Sequence, residues 1–173
     1  VLPPELRRSD DRQLGRRLAR LLREPAASAA SGEMPQPPVL PELSADQAAV
    51  LAQMMPMAQQ APAVTLLHGV TGSGKTEIYL RAAALALAAG QQVLMLVPEI
   101  NLTPQLQARV AERFPAQRLV SLHSALTPAK RLDHWLLAHL GRADLVLGTR
   151  LAVFASLPRL GLIIVDEEHD PSF

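Results

Sequence analysis

The 173-residue chain contains no cysteine, which excludes disulfides, cysteine-ligated zinc and a thiol nucleophile within it. Aromatic side chains are scarce: one tryptophan, one tyrosine and three phenylalanines make up 3% of the sequence. The core must therefore be aliphatic, and the alanine and leucine that dominate a 49% apolar composition suit helices packed on a sheet. No apolar run approaches the roughly 18 residues that span a bilayer, and the N-terminus lacks the continuous apolar core of a signal peptide. A soluble, intracellular protein is expected. Net charge is nearly absent at +1, so charge alone gives no argument for nucleic-acid binding. It is unevenly spread, with seven arginines against four acids in residues 1–24. The length fits one ordinary domain, or a domain with an appendage, and no repeat at solenoid periods occurs.

Against these absences stands one dense motif. Residues Gly69-Val70-Thr71-Gly72-Ser73-Gly74-Lys75-Thr76 follow the apolar run Val64 to Leu67 and His68 and have the spacing of a phosphate-binding loop. The glycines let successive backbone N–H groups turn inward toward phosphate, while Lys75 and Thr76 open the next helix at its positive end. Lys75 is expected to reach the β- and γ-phosphates of a nucleoside triphosphate, and the Thr76 hydroxyl to take one position on Mg²⁺. The competing reading is a glycine-rich strand-to-helix turn without a ligand.

Around this motif the pattern alternates. Leucines 14, 18, 21 and 22 define one face of a helix over Asp10 to Arg23, with Arg12, Arg16, Arg17, Arg20 and Arg23 around it. Those arginines could meet DNA phosphates, but the solvated side of a packing helix is the favoured reading. Residues 25–41 are rich in proline, alanine, serine and glycine and read as a flexible linker. A helix from about 43 to 57 starts at Ser44, which forms a capping-box pattern with Gln47. Strands are predicted at 63–68, 92–97, 119–122, 144–147 and 160–165, and helices at 75–89, 103–114 and 128–140. Such alternation means an α/β fold, a parallel sheet with helices on both faces. Ligands bind such sheets beyond the carboxyl ends of the strands, where all the polar motifs fall.

The second strong motif is Leu162-Ile163-Ile164-Val165-Asp166-Glu167-Glu168-His169. A phosphate-loop enzyme needs a carboxylate at a neighbouring strand end to hold Mg²⁺, and Asp166 is placed for it. Glu167 can polarise the attacking water. Alone, such an acidic cluster is more often a solvated turn; paired with the phosphate loop it reads as catalytic. His68, His123, His134 and His139 show no metal-ligand spacing, and Lys130, Arg131 and Arg142 read as solvated helix charges.

Together the loop and the Asp-Glu-Glu-His box resemble the superfamily 2 helicases and translocases. Val97-Pro98-Glu99-Ile100, Leu102-Thr103-Pro104-Gln105, Leu122-His123-Ser124, Gly148-Thr149-Arg150 and the run Leu160 to Asp170 narrow the likeness to the bacterial primosomal protein N′ family of replication-restart helicases, over residues 43–173. Pro171 and Phe173 stand where that family often has serine and tyrosine.

The resemblance implies a RecA-like lobe of an ATP-dependent, 3′ to 5′ DNA helicase, acting at stalled forks in replication restart and primosome assembly. It implies ATP and Mg²⁺ as cofactors. Expected partners are single-stranded and forked DNA, single-stranded DNA-binding protein and primosome loading proteins, in a bacterial cytoplasm at the nucleoid. By the same resemblance Gln47 contacts adenine, a role competing with its capping box. Thr103, Gln105, Thr149 and Arg150 become candidate DNA contacts, each of which could instead be a cap or a surface residue. His169 would couple the nucleotide site to DNA, and Phe173 would begin an aromatic loop that stacks on bases. Residues 1–24 would be the tail of a winged-helix domain and 42–173 a truncated first motor lobe. A central strand, a second lobe with an arginine for the γ-phosphate, and a zinc-binding insertion would lie downstream. Two alternatives remain: another superfamily 2 translocase of repair or fork-reversal type, and a nucleotide-binding module without turnover.

Overall fold

The computed structural model describes Pro4, Leu6 and residues 10–23, 40–58, 63–70 and 72–171. The predicted linker, apart from Leu40 and Pro41, together with Thr71 and Phe173, lies outside the described residues. Five α-helices and four strands follow in the order α1 (Asp11–Arg23), α2 (Ala45–Ala58), α3 (Lys75–Ala88), β1 (Gln92–Leu96), α4 (Pro104–Arg113), β2 (Leu119–Leu122), α5 (Pro128–His139), β3 (Leu145–Gly148) and β4 (Leu160–Val165). Short 3₁₀ turns, Glu99–Asn101 and Arg150–Phe154, follow β1 and β3. None of the described helices is long and apolar enough to cross a membrane.

The sheet is parallel throughout, in the order β2-β3-β1-β4. Strand β1 is buried along its whole length, and its side chains alternate between two cores, as a period of two requires. Leu94 and Leu96 join Leu21 of α1, Leu132 and Leu136 of α5, Val120 and Val146 on one face. Val93, Met95 and Val97 join Leu80 and Ala83 of α3, Val110 of α4, Leu145, Leu147 and Ile164 on the other. This is the expected α/β architecture of a RecA-like lobe.

Helix α1 docks on α5 as a packing helix. Leu21 is fully buried, and Arg17 and Arg20 reach Asp133 of α5 at 3.0 and 2.7 Å. Asp133 is mostly buried and Arg20 more than half exposed, so the pairs are only partly screened by solvent, and they fix how α1 lies on α5. Leu22, expected on the apolar face, is half exposed, because its neighbour Leu21 already points into the core.

The strand expected at 63–68 does not form. Residues 63–70 carry no regular structure, and Val64 and Leu66 are 98% and 73% exposed. An extended apolar run becomes a strand only against a pairing neighbour, and among the described residues β4 pairs with β1 alone. The outer part of β4 is correspondingly open, with Leu160, Ile163 and Val165 exposed, so helices cover both faces of the sheet at β1 but only one at β4.

Gln92 is the one polar residue of β1 and is completely buried. Its amide donates to the carbonyls of Ala138 (3.2 Å) and Ala143 (2.6 Å), and its oxygen accepts from the Arg159 amide at 3.0 Å. One side chain thus ties the end of α5, the approach to β3 and the approach to β4 to the foot of the central strand. Replacing it by leucine leaves the Ala143 carbonyl and the Arg159 N–H without this partner, each costing about 1–3 kcal/mol, whereas the Ala138 carbonyl keeps its bond from Gly141. Gln92→Leu is expected to lower stability by about 2–4 kcal/mol, read as a fall in the urea unfolding midpoint.

Candidate functional site

The carboxyl ends of the parallel strands converge because every strand runs the same way, and the loops there are wired to one another. The Asp166 amide donates to Leu96 at the end of β1 (2.9 Å), Val97 to Gly148 (2.9 Å) and Thr149 to Leu122 (3.2 Å). Side chains add further ties. Ser124 donates to the Glu99 carboxylate, joining the loops after β2 and β1. The Asn101 amide donates to Glu167 at 2.9 Å, joining the loops after β1 and β4.

The phosphate loop enters α3 through Gly74, whose φ is +83°, with Gly72 at +82°. Both lie in the left-handed region that costs an ordinary residue strain. Ser73 donates its N–H to the Val70 carbonyl at 3.1 Å. The Lys75 ammonium bonds the carbonyls of Gly69 and Val70, so in this arrangement it closes the loop on itself. Gly74 is also a close approach: a Cβ there would stand 2.1 Å from the Gln47 amide nitrogen.

Gln47 closes the capping box that its spacing from Ser44 predicts. Its oxygen accepts from the Ser44 N–H at 2.9 Å while its own N–H bonds Ser44 Oγ at 3.2 Å, the reciprocal pair of a capping box. Its amide nitrogen donates to the Ser73 carbonyl at 3.2 Å, so the helix before the phosphate loop is fastened to the loop itself. Arg81 adds a second fastening through the Pro41 carbonyl at 2.6 Å. It is held by Glu77, which bonds Arg81 at 2.8 Å and Arg113 of α4 at 3.4 Å.

The loop and the acidic box meet at Tyr79. Its hydroxyl lies 3.2 Å from Thr76 Oγ1 and 3.1 Å from Asp166 Oδ2, so the two predicted metal-facing oxygens share one phenol. Both are hard oxygen donors, the chemistry that Mg²⁺ takes. Burial is the largest cause pushing the Tyr79 pKa up to about 12; the Thr76 hydrogen bond opposes it and Asp166 adds to it. The phenol is therefore a neutral donor at working pH. Glu167 sits in the left-handed region at φ 53°, which turns the chain sharply after Asp166, and Asp170 closes that turn onto the Glu167 carbonyl at 2.8 Å. His169 is exposed, its ring 3.7 Å from Glu168.

The remaining candidates divide by environment. Thr103 caps α4, its hydroxyl accepting from Leu106 N–H at 3.2 Å, and Gln105 is exposed in the first turn of that helix. Thr149 is buried at the start of the 3₁₀ turn, whereas Arg150 beside it is exposed. His123, after β2, has its pKa lowered by burial first and by the neighbouring His134 second. Tyr79, Asn101 and Arg81 had not been singled out from the sequence. Tyr79, three residues after Thr76, and Arg81, four after Glu77, left a helix-face signal there, and Asn101 left none.

The DEAD/DEAH box helicase profile matches residues 44–172. The chain is 45% identical to the replication restart protein PriA of Synechocystis over 154 residues, 89% of this chain and 17% of that protein. Against the PriA proteins of Bacillus subtilis and Treponema pallidum it is 50% and 54% identical over 110 and 107 residues, 64% and 62% of this chain. It spans only 14% and 16% of those two relatives.

Gly74→Ala is expected to cost about 1–2 kcal/mol from the left-handed φ, with a further loss from the contact with Gln47. Adding Gln47→Ala relieves the contact but not the strain, so the urea midpoint of the double variant should remain below that of Gln47→Ala alone.

Proposed function

The chain belongs to the DEAD/DEAH box helicase family, and from that premise we propose that it supplies the ATP-binding half of a replication-restart DNA helicase. The observation that carries this reading is the meeting of Thr76 and Asp166 at the Tyr79 hydroxyl, since a phosphate loop and an acidic box must share one metal to act together. The triphosphate lies over Gly69, Val70, Thr71, Gly72, Ser73, Gly74, Lys75 and Thr76, with the Lys75 ammonium exchanging loop carbonyls for phosphate oxygens. Thr76 and Asp166 hold Mg²⁺, which when bound screens the phosphate charge. Glu167 orients and deprotonates the attacking water. Gln47 sets the loop through Ser73 and stands beside the adenine position.

Single-stranded DNA crosses the loops after β1 and β3. Arg150, exposed and cationic, makes the phosphate contact there; Gln105 and the turns begun by Thr103 and Thr149 shape its path. His169 couples that path to the nucleotide. The relatives are several times longer than the matched region, in keeping with a motor whose second lobe, zinc-binding insertion and remaining sheet partner come from other parts of a longer protein. Residues 1–24 then belong with a preceding winged-helix domain and 25–41 form the linker. In the intact protein the activity is ATP-driven 3′ to 5′ unwinding at stalled forks, with single-stranded DNA-binding protein and primosome loading proteins as partners, in the bacterial cytoplasm.

In the intact protein, Lys75→Ala should weaken nucleotide affinity by at least about tenfold, since a charged hydrogen-bond donor to phosphate is removed; unchanged affinity by equilibrium titration would overturn the nucleotide site. Glu167→Gln should keep ATP binding but slow hydrolysis stimulated by single-stranded DNA by about 10²-fold or more. Steady-state ATPase reads this directly. Strand-displacement assays on forked substrates test the helicase reading against duplex translocation without unwinding.

A further inference from the structure

Tyr79 is the chain's single tyrosine, and its ring packs beside the core that α3 forms with β1, α4 and β4. A phenylalanine would fill that volume equally well. The hydroxyl is what the packing does not require, and a phenol carried into a partly buried site costs free energy unless its polar atom finds partners. Here it finds two, Thr76 Oγ1 at 3.2 Å and Asp166 Oδ2 at 3.1 Å. An ionised carboxylate only accepts hydrogen bonds, so the phenolic O–H points to Asp166. The Thr76 hydroxyl must then donate to the phenolic oxygen, and the direction of the chain runs Thr76 to Tyr79 to Asp166.

We propose that Tyr79 is a positioning residue that fixes the Thr76 hydroxyl and the Asp166 carboxylate relative to each other, setting the Mg²⁺ requirement of nucleotide binding. This rests on the reading of Gly69–Thr76 and Asp166 as an ATP and Mg²⁺ site. The geometry supplies the reason. Thr76 stands at the first turn of α3 and Asp166 on the turn after β4, and the side-chain bridge between them among the described residues runs through the one phenol. Asp166 has its backbone tied to β1 through Leu96, but its side chain would otherwise choose among rotamers. The hydrogen bond from Tyr79 selects one of them. A divalent cation then meets an oxygen pair already oriented, and the ordering does not have to be supplied by the ion.

The test is Tyr79→Phe in the intact protein that carries this chain. Binding of a fluorescent ATP analogue is titrated with Mg²⁺ and, separately, in excess chelator. The expected result is that the Mg²⁺ concentration giving half-maximal binding rises about tenfold, the scale of one lost hydrogen bond to a charged group, while affinity in chelator stays within about twofold of the parent. In the Asp166→Asn background the same Tyr79→Phe change should move the Mg²⁺ midpoint far less, since the charged acceptor is already gone. An unshifted midpoint in Tyr79→Phe overturns the inference, as does an equal loss of affinity with and without Mg²⁺, which is the signature of a packing role alone. A parent protein whose nucleotide binding ignores Mg²⁺ removes the functional reading and this inference with it. A Mg²⁺-dependent parent with an unshifted variant removes the inference only.

Discussion

A parallel strand buried on both faces has to satisfy two cores and two neighbours at once, and β1 is the strand that does so here. Its odd-numbered residues pack against α3 and α4, its even-numbered ones against α5 and α1, and β3 and β4 pair along its two edges. The functional loops inherit their positions from it. Asp166 is bonded to its last carbonyl and Val97 just beyond it is bonded to Gly148, so the acidic box and the Gly148-Thr149-Arg150 turn are both referenced to one point. At its other end Gln92 gathers three backbone segments through a single amide. A polar residue is tolerable there because both of its N–H groups donate and its oxygen accepts.

The site is built the same way, from short ties between loops and not from a deep cavity. Gln47 and Arg81 fasten the segment before the phosphate loop to the loop and to α3. Asn101 reaches from the loop after β1 to the carboxylate of Glu167. Ser124 and Glu99 extend that linkage to β2. The loops that would feel DNA and the loop that would feel nucleotide are therefore mechanically connected, by hydrogen bonds that break and re-form at low cost near solvent.

Most of this arrangement was legible in the residues because local rules and the fold agree. Aliphatic runs at 92–97, 119–122 and 160–165 became strands, Thr103 and Thr127 cap helices that open on proline, and Ser44 with Gln47 closed its capping box. The failure at 63–68 has a specific cause. Val64, Thr65, Leu66 and Leu67 have the composition of a strand, but strand formation is a property of a pair, and periodicity reads one segment at a time. The long-range contacts of Tyr79, Asn101 and Arg81 were hidden for a related reason: each reaches a residue from another part of the chain, at distances that only the folded path sets. Glu77 shows both cases in one side chain, since its bond to Arg81 at i+4 is visible in the sequence and its bond to Arg113 is not.

Strand β4 carries one more consequence. Leu160-Gly161-Leu162-Ile163-Ile164-Val165 contains no charge and no proline, its side chains at 160, 163 and 165 are open to solvent, and among the described residues only β1 pairs with it. Natural sheets guard such edges with lysine, proline or a bulge, because an unprotected row of backbone donors and acceptors is a template for any other extended chain. Here the strand that leads into Asp166 and Glu167 has neither lysine nor proline, and its one irregularity is the register shift at its start, where Gln92 faces Leu160 and Val93 faces Leu162. Where that edge is uncovered, it can pair with another extended chain along the strand that leads into Asp166.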